Sequence, residues 1–287
     1  MAGVAVAWGS IGVLVRWVAL PSVVLVWSRV TIGSLGLGLY LLVRPGLRPV
    51  RLFAYRPVRS VATGVLLACH WVALFAALQR APIGTVLLVT YLGPVLVAAA
   101  APRVLGERVS LRLACLLGVA ALGCTLVVGP AAHGLAGWGL VLSGVAAVSY
   151  AVLTLVGKPL AEHYGGIRVA FQQQMVAAIV LAPLAARATW GSPSRSWLWL
   201  LVLGLGHTAV GLAVFFSALE RVDAAMIGLL GYFEPASAVL FGWWLLAQRP
   251  TLLTVVGGAM IVGAGLLALR LGPTPTIAPS EVAGAVR

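Results

Sequence analysis

Acidic side chains are nearly missing from this chain. Only six of its 287 residues are Asp or Glu, and Asp223 is the single aspartate. Catalysis by paired carboxylates or by a Ser/His/Asp set needs acids held against one another, and this scattered handful does not supply them. Four His with few acids nearby also fall short of a metal ligand set, so no metal and no cofactor is expected. Cysteine is as sparse. Cys69, Cys115 and Cys124 are odd in number, lack CxxC spacing and lie within apolar runs, where they read as small packing residues. Lysine is reduced to Lys158, and the other basic residues are all Arg.

What takes the place of charge is Leu, Val, Ala and Gly. Hydrophobic residues make up 62% of the chain, charged residues 9%, and the mean hydropathy is +1.09. Water-soluble domains carry about a quarter charged residues, so this composition belongs to lipid. The apolar runs reach the ~20 residues that cross a hydrocarbon core. The net charge of +13 does not point to nucleic acid, because the basic residues lie in short loops between apolar runs, where membrane insertion accounts for them. The first run starts almost at Met1 and continues into a mature-looking span, so no cleavable leader is expected.

Punctuation by Pro, Gly and Arg divides the runs into ten predicted spans, near 2–20, 22–43, 60–79, 82–104, 111–129, 137–157, 167–186, 197–219, 223–246 and 252–270. The tail over 272–287, with Pro273, Pro275 and Pro279, is polar enough to be expected disordered and cytoplasmic. An internal repeat organises these spans. Phe75, Arg80, Tyr91 and Pro94 recur as Phe216, Arg221, Tyr232 and Pro235, each 141 residues on, and the register continues through Leu105/Leu246 and Arg108/Arg249. Trp8/Tyr150 and Arg16/Lys158 match at 142. The expected architecture is all-α, with five spans over 2–129 and five over 137–270. Five is odd, so the second set enters the bilayer inverted, as in many secondary transporters. With the amino terminus cytoplasmic, thirteen of the nineteen Lys and Arg fall on the inside, five outside and Arg29 within a span. That bias predicts both termini cytoplasmic.

On these residues the chain resembles the EamA-like ten-helix members of the drug/metabolite transporter superfamily. The likeness rests on Trp8-Gly9, on Arg29, on the Ala-Leu patterns ending spans three and eight, and on Tyr91-Leu-Gly-Pro94 followed by Leu105-Gly106-Glu107. Tyr232-Phe-Glu234-Pro235 is the counterpart in the second half, which departs from the pattern with Ala247-Gln248 in place of Gly-Glu. The resemblance implies alternating-access movement of small metabolites, often amino acids or related compounds, across an inner membrane. It leaves the substrate open.

Polar groups at membrane depth are costly and therefore mark function or a buried bond. Glu234 beside Pro235 can bind a cationic group or carry a coupling proton; its plainer role is a protonated acid on a carbonyl freed by the proline. Arg29 can meet a substrate carboxylate or pair with Glu234, or snorkel to the interface. His70 and His207 can relay protons or act as structural donors. Gln172 and Gln173, in a run of three amides, offer hydrogen bonds to a substrate. Trp8, Trp27, Trp71, Tyr91, Tyr150, Phe171 and Tyr232 are candidates for the aromatic walls of the pathway or for core packing, and Pro94 and Pro235 are its expected hinges. Glu107 and its fellow span-end acids are expected to be solvated or paired with Arg. Ala114/Gly118 and Ala259/Gly263 are the expected close-packing pairs of spans five and ten. The expected partners are a small-molecule substrate, a coupling proton and lipid, with a homodimer left open. A passive carrier is the rival mechanism. A membrane scaffold or receptor is the rival class, and it predicts a dry interface with no polar cavity near Glu234 and Arg29.

Overall fold

The computed structural model describes residues 1–18, 20–44, 52–81, 83–128, 137–190 and 197–271. The tail that was expected to be disordered lies outside them. The described residues are helical, with no strand among them. Span one comprises α1 (Ala2–Trp8) and α2 (Ile11–Val18), span two is α3 (Ser22–Val43), and span three is α4 (Pro57–Leu78). Span four comprises α5 (Ile83–Thr90) and α6 (Gly93–Val104), and span five is α7 (Leu111–Val128). The second half repeats this order with α8 (Trp138–Tyr164), α9 (Gly166–Arg187), then α10 (Trp197–Leu201) and α11 (Gly211–Leu219) joined by a π-helical stretch, Val202–Val210. Span nine comprises α12 (Ala224–Gly231) and α13 (Phe233–Leu246), and α14 (Leu252–Leu271) is span ten. Among the described residues nine helical segments are long and apolar enough to cross a membrane, and span one is a shorter tenth.

Two boundaries and one packing contact depart from the sequence reading, each for a local reason. Span one is broken at Gly9-Ser10 rather than continuous. There the missing Cβ of Gly9 lets the backbone lie against Ser237 and the Glu234 carbonyl of α13, closer than any side chain permits. Span six runs on through Lys158 and Pro159 to Tyr164, leaving only Gly165, at φ 84°, before α9. Lys158 is therefore a helical residue with a buried side chain, not a loop cation. Spans five and ten do pack together, but through Gly123 and Gly257. A Cβ on Gly123 would stand 2.7 Å from the Gly257 carbonyl oxygen. Ala114, Gly118, Ala259 and Gly263 are exposed instead, so the predicted small-residue pairs face lipid.

Such close backbone contact matters in lipid, where apolar side chains gain little by leaving tails for one another and dispersion carries helix association. The outer surface is correspondingly apolar, with Leu35, Leu240 and Trp244 largely exposed. Equivalent spans meet along a pseudo-twofold axis: α3 on α9, α7 on α14, and α6 on α12. Away from the axis the symmetry fails. Span six lies along span three for much of its length, whereas span one touches span eight only through short contacts. The two halves are thus closed at one end and splayed at the other.

Candidate functional site

Proline has no N–H, so Pro94 and Pro235 leave the carbonyls of Thr90 and Gly231 without their helical donors. Spans four and nine break there, at Tyr91-Leu92 and at Tyr232. The two breaks are tied to each other, because the Tyr232 hydroxyl donates to the Tyr91 carbonyl at 2.6 Å. Both prolines line a cavity of about 510 Å³ between the halves, and Glu234, one residue before Pro235, turns its carboxyl into the same space.

Arg29 reaches this cavity from α3. Only 1% of the residue is exposed, and its guanidinium lies 4.6 Å above the Trp71 ring and 5.6 Å from that of Phe75. Its Nε donates to the Thr208 hydroxyl at 3.2 Å, and that hydroxyl donates in turn to the Leu203 carbonyl at 2.7 Å, five residues back in the π-helical stretch. The widened turn thus places an acceptor where a regular α-helix has none facing Arg29. Arg29 and Glu234 influence each other electrostatically, as do Glu234, Tyr91 and Tyr150, yet no ion pair joins the arginine to the acid among the described residues. A cation and a carboxyl therefore share one apolar chamber without neutralising each other by contact.

Nine of the predicted residues that were read as lining or hinge positions meet here: Trp8, Arg29, His70, Trp71, Tyr91, Tyr150, Glu234, Pro94 and Pro235. The Trp8 indole is held by the His207 carbonyl, which accepts from Nε1 at 2.8 Å. His70 Nδ1 donates to the Ala146 carbonyl at 2.8 Å.

Six candidate lining residues belong elsewhere, among them Trp27, whose Nε1 donates to the Ala178 carbonyl at 3.1 Å, and Phe171, packed by Gly38. Gln172 and Gln173 are buried in the packing of α9 against its neighbours and do not line the cavity. Gln172 donates its amide N–H to the Leu52 carbonyl, while among the described residues neither amide atom of Gln173 has a hydrogen-bond partner. His207 is also outside the lining. Its Nε2 sits 2.8 Å from the Ser10 hydroxyl and 3.1 Å from the Ala7 carbonyl, so it braces the broken span one. Tyr232 is the strut between the two breaks and is 1% exposed. Sequence reasoning missed Phe75, Phe215, Gln79 and Gln248 as cavity residues. Phe75 and Gln248 stood in the repeat itself, and their position in register with the prolines was the available signal.

Among the described residues the cavity lining reaches one end of the bundle. Leu20, Ser22, Gln79 and Gln248 line it, and all stand at the ends of odd spans or the start of an even one. At the opposite end Lys158 Nζ donates to the carbonyls of Leu219 (2.9 Å) and Val222 (2.7 Å) and pairs with Glu107 Oε1 at 3.1 Å. Glu107 Oε2 accepts the Ala224 N–H, the first of α12, at 2.9 Å. Glu107 is 5% exposed, so the acid that was expected to be solvated or paired with Arg is a buried tie to Lys158. Burial pushes its carboxyl above the usual range, against the opposing pull of the Lys158 ammonium.

Known proteins resemble this chain over nearly its whole length. The model of the EamA-like transporter family matches twice, over residues 1–129 and 137–270. An uncharacterized transporter of Bacillus subtilis, YxxF, is 26% identical over 269 residues, covering 92% of this chain and 86% of that protein. The pseudopaline exporter CntI of Pseudomonas aeruginosa is 26% identical over 249 residues, 85% of each chain. A probable terminal-alkyne amino-acid exporter of Streptantibioticus cattleyicolor is 28% identical over 195 residues, 66% of this chain and 65% of its own length. A solved crystal structure superposes with a TM-score of 0.81 at 22% identity, covering 94% of this chain and 97% of its own, and so shares the fold.

Proposed function

Because this chain belongs to the EamA-like transporter family, we propose that it exports small zwitterionic metabolites of the amino-acid class by alternating access across an inner membrane, with both termini cytoplasmic. The observation that carries the reading is the pairing of Arg29 and Glu234 in one apolar, aromatic-walled cavity without a direct ion pair. A guanidinium presents a planar fork of donors matched to a carboxylate, and a carboxylate opposite it suits an ammonium. Trp71, Phe75 and Phe215 then hold the side chain between the two poles. Two relatives that carry exporter in their names, one of them for an amino acid, support the direction and the class. The scaffold reading required a dry interface near Arg29 and Glu234, and the cavity stands against it.

On this reading the breaks at Pro94 and Pro235 are the flexing points, and Glu234 exchanges a proton for the substrate ammonium. Spans four and nine then open the cavity to alternate sides while Tyr232 keeps the two breaks in step. The test is counterflow of radiolabelled amino acids in proteoliposomes, with and without a pH gradient. The Glu234→Gln protein is expected to retain exchange at no more than about a tenth of the wild-type rate, the loss of one charge-assisted contact, and to lose gradient-driven accumulation. Full gradient-driven flux through Glu234→Gln removes the proton step. No counterflow with any amino acid by the wild type removes the substrate class.

A further inference from the structure

The residues that tie the closed end of the cavity have equivalents in the other repeat. Lys158 corresponds to Arg16, Glu107 to Gln248, the carbonyls of Leu219 and Val222 to those of Leu78 and Ala81, and the Ala224 N–H to that of Ile83. In the closed set, one ammonium ties the end of α11 to the loop after α6, and one carboxylate holds the first N–H of α12. In the open set Gln248 lies back against Gly242 and lines the mouth. A glutamine in place of the glutamate can still accept from an amide N–H but offers Arg16 no charge.

We infer that Lys158 and Glu107 form a latch that holds one end of the cavity shut, and that Arg16 and Gln248 form its weaker twin when the other end shuts. Inverted repeats make this exchange a geometric necessity: swapping the conformations of the two halves carries each contact onto its equivalent at the opposite face. The substitution of Gln for Glu then sets the resting bias. The full latch is a buried, four-way bonded ion pair, the twin lacks the charge, and the mouth lined by Gln248 rests open. The latch rests on the alternating-access reading above, but it makes no demand on which substrate is carried.

Two pairs of exposed arginines supply repeat-equivalent rulers: Arg108 with Arg221 at the latched face, and Arg249 with Arg80 at the mouth. Spin labels on Cys at each pair, in the full-length chain with its three cysteines replaced and reconstituted in lipid nanodiscs, report distance distributions for both faces without any ligand. Lys158→Met is expected to lengthen the Arg108/Arg221 distance and shorten the Arg249/Arg80 distance. Gln248→Glu restores the missing carboxylate and is expected to raise the mouth-closed population about tenfold, the effect of one charge-assisted hydrogen bond. Adding Arg16→Met to Gln248→Glu is expected to abolish that gain. The latch is overturned if Gln248→Glu leaves the mouth distances unchanged, or if its gain survives loss of Arg16. Should Lys158→Met fail to fold, Gln248→Glu alone decides, since it alters an exposed residue. A chain that shifts its distances as expected yet moves no amino acid would uphold the latch and sink the substrate assignment.

Discussion

Arg29 should be a residue that the protein keeps at the expense of its own stability. The substitution that exposes this is Arg29→Met, which keeps the unbranched stem and removes the charge. Burying an ion that meets too few partners costs several kcal/mol, and replacing such groups by apolar ones of similar volume returns about 1–4 kcal/mol. Against that stand one hydrogen bond to a neutral hydroxyl and a stacking contact on Trp71, together worth about 3 kcal/mol at most. The methionine retains part of the stacking through its sulfur. The net expectation is a gain of about 1 kcal/mol, or roughly 2–4 °C in Tm. It is read by thermal loss of the monodisperse peak in detergent. Transport should move the opposite way. Losing a guanidinium–carboxylate pair raises the half-saturating concentration about 100-fold for the zwitterion, while the corresponding decarboxylated amine is affected less than threefold. A variant that melts lower than the wild type makes Arg29 a structural tie. Equal losses for amino acid and amine would mean that Arg29 does not read the carboxylate.

Two further predictions concern the backbone. At the end of α13 Ala247 sits at φ 54°, in the left-handed region that its repeat equivalent Gly106 occupies at φ 72°. Relieving the Cβ clash returns about 1–2 kcal/mol and the freer unfolded chain takes back about half, so Ala247→Gly should raise Tm by ~2 °C while Gly106→Ala lowers it. An unchanged or lower Tm for Ala247→Gly would deny the strain. At the break in span one, a Cβ on Gly9 would stand 2.6 Å from the Ala238 nitrogen and 2.8 Å from the Glu234 carbonyl. Gly9→Ala should cost about 1–3 kcal/mol by overpacking and depress transport, whereas Gly3→Ala, which meets nothing within 4 Å, should leave both unchanged. Equal behaviour of the two variants would refute the close approach.

How much of this was legible in the residues depends on the kind of feature. The spans and the two proline breaks were, because hydropathy and proline act locally: Pro94 and Pro235 interrupt their helices wherever the bundle places them, whereas the glycine break at Gly9 was not. Arg29, His70 and Glu234 were legible as candidates, since a lone polar group in an apolar run demands an explanation. Direction was not. Gln172 and Gln173 are as polar as any pathway residue, and only the packing of α9 turns them away from the cavity. His207 and Tyr232 sit within a residue or two of groups that matter, yet their side chains brace span one and the hinge from behind. The buried tie of Glu107 to Lys158 was hidden for another reason. Span six continues through Pro159, so a cation that looks like loop sequence is carried on a helix to the far acid.

The repeats agree in backbone and differ in chemistry, and that division locates the function. Pro94 and Pro235, Tyr91 and Tyr232, and the left-handed caps at Gly106 and Ala247 are all duplicated. Glu234 is not: its equivalent is Gly93, where a Cβ would lie 2.8 Å from the Tyr150 ring. A second carboxyl has no room there because the aromatic wall already occupies the space. Arg29 is single as well, and Phe171 stands at its equivalent, packed on Gly38. A device that opens to both sides of a bilayer needs two copies of its moving parts, since each half must adopt the other's shape. A ligand with one positive and one negative end needs only one of each partner, held near the axis about which the halves exchange. Duplicated hinges around an unduplicated pair of charges are what those two demands produce together, and transplanting the acid to the other half, as Gly93→Glu with Glu234→Gly, should fail to restore transport because Tyr150 blocks the site.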